Sequence, residues 1–221
     1  MPKVVLCLLL IFALAYSQQS TELSSSKMDS TSYHQPLSDS ASIQITETLL
    51  GDPVQQGVYA APVMKFSRVG PNGSNALVVG AQGGWILDHK YVLGLGVYGL
   101  SNVVKAPKVP AIDGLVLIFN YGGLLLSYIH NSHKLVHFEA SNLFGIGEAN
   151  YRDQEYNAKY NKGDTFVVAE PSVQAILNVT RGFRLGVGLS YRYVTRLSLL
   201  GMSAADLSGV TFNIMFRVGN F

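Results

Sequence analysis

The sequence predicts an all-β fold, an eight-stranded antiparallel up-and-down transmembrane barrel with a disordered N-terminal tail. Three observations lead there. Apolar and polar side chains alternate with a period of two, the connections between such segments alternate short and long, and the chain opens with an export leader. The alternation is cleanest over 183–193. Phe183, Leu185, Val187, Leu189, Tyr191 and Tyr193 are apolar or aromatic, whereas Arg184, Gly186, Gly188, Ser190 and Arg192 are charged, small or polar. Such a period is a β-strand with one greasy and one polar face. In a soluble protein the greasy face turns to a core; in a membrane barrel it meets lipid, and the polar face meets the lumen.

Composition narrows the class. The 221 residues suffice for one barrel or one ordinary domain. Charged residues make up only 14%, against 48% hydrophobic, with 22 Gly, 12 Tyr and 10 Phe, a balance that favours strands over helices. A net charge of +2 without a Lys/Arg cluster argues against nucleic acid as a partner. The only cysteine, Cys7, falls in the leader, which leaves the exported protein no disulfide, thiolate chemistry or cysteine metal site.

Residues 1–17 read as a signal peptide. Lys3 precedes an apolar run over 4–15, and Ala15-Tyr16-Ser17 places small residues for cleavage before Gln18. Residues 18–56 read as a periplasmic tail and linker. The part over 18–39 is too poor in apolar residues to offset its ordering entropy, and 41–50 alternates too weakly to assign. The barrel is expected over 57–221, with strands near 57–68, 75–87, 91–101, 114–129, 135–148, 165–179, 183–194 and 208–219.

Between these strands, 88–90, 131–134 and 180–182 are tight turns. The segments 102–113, 149–164 and 195–207 are long, with 71–74 a shorter exception. Short turns at one end and long loops at the other mark an outer-membrane barrel. The strand over 114–129 is apolar on both faces, but at roughly 15 residues around Gly122-Gly123 it is too short for a spanning helix. Trp85, Tyr91, Tyr128 and Phe138 flank two of the tight turns, and Tyr191 and Tyr193 mark the opposite end of their strand. Aromatics at strand ends suit membrane–water interfaces.

Parity then sorts the charges. Glu139, Glu170, Arg184, Arg192 and Arg217, with His137 and Lys65, fall on the mixed face rich in glycine. Unpaired carboxylates in a narrow lumen are costly, so these residues are expected to form an ion-pair and hydrogen-bond network that fills the barrel. Arg184 and Arg192 are expected to point toward Glu139 and Glu170. His137, Glu139 and Ser141 lie two apart on one face, a set with acid–base potential, yet successive inward side chains stand roughly 6.6 Å apart. The long loop carries Tyr151, Arg152, Tyr156 and Tyr160 among charges of both signs, a mixture suited to surface recognition of an extracellular ligand.

The chain ends on an alternating strand whose last residue is Phe221. Leader, eight strands, alternating loop lengths and terminal Phe together resemble the small bacterial outer-membrane barrels of the OmpA/OmpX-like group. The strand and turn style is similar to outer-membrane β-barrel proteins of Bacteroidetes-type bacteria. The resemblance implies insertion by the barrel-assembly machinery, with Phe221 as assembly signal, and carries no catalytic motif. Phe221 is out of step with Phe212, Ile214, Phe216 and Val218, so a bulge near Gly219 or an imperfect signal is expected. The expected function is non-enzymatic: a monomeric barrel with a side-chain-filled lumen, no cofactor or metal, and a structural or surface-interaction role in the bacterial outer membrane. A small channel, a lipid-modifying enzyme and a soluble lipocalin-type binding barrel are the alternatives.

Overall fold

Among the described residues, nine strands follow one another in the order β1 Gln56–Val69, β2 Ser74–Leu87, β3 Tyr91–Leu100, β4 Val104–Lys105, β5 Leu115–His130, β6 Val136–Asp153, β7 Asp164–Asn178, β8 Phe183–Thr195 and β9 Gly209–Asn220. The computed structural model describes residues 55–106, 114–153 and 163–221. The expected signal peptide and all but the end of the expected tail lie outside the described residues. Eight long strands pair antiparallel, each with its neighbour in sequence, and β1 pairs with β9 to close the sheet. The two-residue β4 pairs with the start of β5 and had no counterpart in the sequence reading.

The ladders fix the barrel's stagger. From Gly57 the paired residues run through Ile86, Val92, Ser127, Ser141, Ser172, Ser190 and Thr211 back to β1. The circuit returns at Ser67, ten residues beyond its start. With a rise of ~3.3 Å per residue and eight strands ~4.8 Å apart, that stagger tilts the strands by about 40°. The circuit is also a hydroxyl belt inside the wall, since its Ser and Thr side chains all share the inward parity.

Two prolines interrupt the ladders without moving the register. Pro62 pairs with Ala81 on one side, while on the other the β1–β9 pairs skip from Ala60↔Val218 to Val63↔Met215. Pro171 behaves alike, paired with Asn142 toward β6 and skipped toward β8. A proline lacks the N–H a ladder needs, so each costs one local gap.

The turns 88–90, 131–135 and 179–182 gather at one end, while the four-residue turn 70–73 lies at the other. Asp88, His89 and Asn131 adopt positive φ of 52°, 52° and 56°, a region that Asn, Asp and His enter more readily than most residues. At the other end, a four-residue helical turn, α1 (Ala204–Leu207), sits in the β8–β9 connection.

Burial follows parity along the long strands except at the long-loop ends of β5 and β6, where Val116 and Asn150 are buried out of step. Leu95 (66% exposed), Val173 (61%) and Val187 (42%) face out, as do Phe66, Leu93, Phe144 and Leu189. Trp85, Tyr128 and Phe138 face out near the tight turns, and Tyr191 and Tyr193 near the long loops. Monomeric soluble proteins rarely expose so continuous an apolar surface, whereas a membrane barrel requires one.

Two expectations are corrected. Pairing of β9 with β1 keeps one register as far as Val58↔Asn220, so no bulge resets Gly219. The ring of Phe221 instead stacks on inward Tyr59, with centroids 6.4 Å apart. Tyr151 is not a surface loop residue: β6 runs on to Asp153, and Tyr151 is buried inside the barrel.

Replacing Val187 by Arg is expected to cost about 2–4 kcal/mol near the bilayer midplane. Reversible urea unfolding in lipid vesicles measures it; a change under ~0.5 kcal/mol would place Val187 in water.

Candidate functional site

The inward faces converge on a column of polar and aromatic side chains along the lumen. Inward parity places Lys65 on β1, Glu139 and His137 on β6, Glu170 on β7, Arg184 and Arg192 on β8, and Arg217 on β9. All of them are buried, Arg192 and Arg217 completely. Glycines leave room for large inward side chains around them. A Cβ on Gly96 would stand 2.9 Å from the Tyr98 hydroxyl, and one on Gly147 2.3 Å from the Phe166 ring.

Two ion pairs anchor the column. Lys65 Nζ donates to Glu170 Oε1 at 2.9 Å, and Arg217 Nη1 donates to Glu139 Oε2 at 2.7 Å. Around Glu170, the Tyr121 hydroxyl donates to Oε2 and the Ser190 hydroxyl to Oε1, both at 2.7 Å. Asn213 Nδ2 extends the chain to Ser190 Oγ at 3.1 Å. The Lys65 ammonium also sits 3.4 Å from the Tyr98 ring centroid. Tyr98 donates to Gln82 Oε1 at 2.7 Å, and Gln82 donates to the Tyr59 hydroxyl at 3.3 Å. The Arg217 guanidinium lies 4.2 Å from the Tyr59 ring. Hydrogen bonds and cation–π contacts thus link the two ion pairs through Tyr98, Gln82 and Tyr59.

Arg184 and Arg192 face the lumen, but the two carboxylates form their ion pairs with Arg217 and Lys65. Arg184 is the β8 rung partner of Arg217, and Arg217 takes Glu139. Arg184 instead lies over the Phe221 ring at 3.9 Å. Arg192 Nε donates to the Leu207 carbonyl at 2.7 Å, and its Nη2 donates to Ser67 Oγ at 3.3 Å. Strand parity fixed which residues point inward; height along the tilted strands and side-chain reach chose the partners.

Between Lys65, Glu170, Gln174 and Asn213 remains a cavity of about 20 Å³, room for a water molecule and little more. At the long-loop end, Leu199, Met202 and Leu207 of the β8–β9 connection are buried. That connection is tied down by the Tyr151 hydroxyl on the Leu200 carbonyl at 2.8 Å and by Gly70 N–H on the Asp206 carbonyl at 2.7 Å.

The His137–Glu139–Ser141 set does not assemble as a nucleophile and base. Ser141 Oγ shares a 2.6 Å hydrogen bond with Ser172, Glu139 binds Arg217, and neither ring nitrogen of His137 is hydrogen-bonded to either. Arg152 lies at the β6 end, half-buried and with a partner, and Tyr156 and Tyr160 lie outside the described residues. Among the described residues, no His, Cys, Asp and Glu group has metal-binding spacing. Tyr59, Gln82, Tyr121 and Asn213 were missed as members of the column. Their inward parity was the available signal, but parity sorted only the charged residues and His137, leaving the uncharged polar side chains aside.

No family model and no curated protein matches the sequence. Among solved structures, the chain is similar to the N-terminal β-barrel domain of Pseudomonas aeruginosa OprF, at 14% identity over 75% of this chain and 98% of that one, with a TM-score of 0.49. Neisserial surface protein A matches at 11% identity, over 76% and 97%, with a TM-score of 0.49. Ail, the attachment invasion locus protein of Yersinia pestis, matches at 8% identity, over 74% and 97%, with a TM-score of 0.45.

Removing one member of a buried pair strands the other. Glu139→Ala is expected to cost about 3–5 kcal/mol in vesicle unfolding, whereas Glu139→Met with Arg217→Met returns most of that loss. A double variant as unstable as the single one would contradict this pairing. The architecture itself is a closed, antiparallel barrel of eight long strands.

Proposed function

We propose that the protein is a non-enzymatic barrel of the bacterial outer membrane, closed along its lumen, whose role is structural or runs through its long loops. One observation carries this reading: the apolar parity is exposed on the outside while the charged parity is buried and bonded inside. A lipocalin-type binder requires the reverse, with large apolar side chains lining an internal cavity. The leader expected from the sequence supports export, and tight turns at one end with long loops at the other support an orientation with the loops outside the cell. The extracellular ligand then falls to the connections between β3 and β5 and between β6 and β7. Phe221 serves as the assembly signal, and the barrel acts as a monomer.

Folded protein is expected to migrate faster than boiled protein on a gel, to fractionate with outer membranes, and to give flat recordings in planar bilayers. Single-channel steps from folded protein would replace this reading with a channel, and recovery from the periplasmic fraction would remove the membrane altogether.

A further inference from the structure

The outer wall changes character where β1 and β9 part. Their ladder ends at Ser67↔Thr211, and beside it the surface opens into a groove of about 710 Å³. Its floor is Phe66, Leu189, Val210 and Phe212, outward-facing and exposed. Its rim, at the long-loop end, holds Arg68 together with Asn75 and Asn102. Asn102 is fixed by accepting from Leu77 N–H at 2.8 Å and donating to the Asn75 carbonyl at 2.9 Å. Arg68 is exposed, and no carboxylate engages it among the described residues.

Two features select the occupant. The floor is continuous with the apolar band of the wall, so the molecules that reach it are acyl chains. An unpaired guanidinium at its polar edge suits a phosphate, which it can grip with paired N–H donors. The volume lies within the range of about 300–1,000 Å³ typical of small-ligand sites. We propose that this groove holds one phosphate-bearing lipid of the surrounding leaflet, an acyl chain along the floor and the phosphate against Arg68. The proposal rests on the membrane reading above.

The test uses the full chain folded in detergent micelles, with heat-modifiable migration as proof of folding. Native mass spectrometry then counts bound dioleoyl phosphatidic acid, dioleoylglycerol or glycerol 3-phosphate. Wild type is expected to retain one phosphatidic acid at least tenfold more tightly than dioleoylglycerol, and glycerol 3-phosphate not at all. Arg68→Gln should erase the preference, and Val210→Trp, which fills the floor, should abolish retention of the lipid. Unchanged retention in both variants would overturn the site as annular lipid held elsewhere, and equal binding of glycerol 3-phosphate would overturn the acyl contact. Failure of the membrane reading shows separately, as protein that folds and stays soluble without detergent.

Discussion

Closure of the sheet is the constraint on which everything else rests. In hydrocarbon each unpaired backbone N–H or C=O costs several kcal/mol, so a strand can be apolar on its outside only if both of its edges are paired. The β1–β9 ladder supplies the last edge. Its weak point is the gap at Pro62, and the second gap lies at Pro171 between β7 and β8. By the constant register, fully buried Arg217 lies across from Ala61 beside the first gap, and fully buried Arg192 across from Glu170 beside the second. The two side chains most dependent on internal partners therefore stand where the wall's own hydrogen bonding is thinnest.

Closure with a ten-residue stagger also decides what fills the lumen. Eight strands leave an interior just wide enough for side chains. Apolar residues there would have served, but the outside already takes the apolar parity, and a strand with both faces apolar loses its register signal. Only β5 approaches that case, and its partner β3 alternates cleanly along the shared ladder. The interior then holds Glu139 and Glu170 against Lys65, Arg184, Arg192 and Arg217, an excess of cations. Ring faces and carbonyls stabilise that excess: Phe221 beneath Arg184, and the Leu207 carbonyl and Ser67 hydroxyl on Arg192. The β8–β9 connection thereby serves a barrel residue as well as covering the mouth.

Much of this was legible because parity is a local property. Strand positions, inward charges and the sorting of loop lengths follow from residues two apart or turns a few residues long. Partner choice was not legible, because Glu139 and Arg217 meet across the lumen from strands that are not neighbours, at heights set by the stagger of the whole barrel. Tyr151 was misplaced for a related reason: the sequence around it turns polar before the strand ends, and β6 extends well past its last alternating pair. Phe221 looked out of step for a lipid-facing residue and is in step for an inward one. The groove beside Arg68 had no signature in the sequence, since it arises where two strands remote in the chain separate.

The account stands on outward apolar side chains in lipid and inward polar ones shielded from it. Residues 55–221 contain no cysteine, so single cysteines can be placed along 183–195 and spin-labelled in protein folded into vesicles. Electron paramagnetic resonance with oxygen and a water-soluble nickel relaxer then reads each position. Labels at 185, 187 and 189 should be relaxed by oxygen and little by nickel, while labels at 186, 188 and 190 respond weakly to both, a period of two in phase with the apolar parity. Strong nickel relaxation at 187 and 189, or no periodicity, would show that this face meets water and that the barrel does not lie in the membrane.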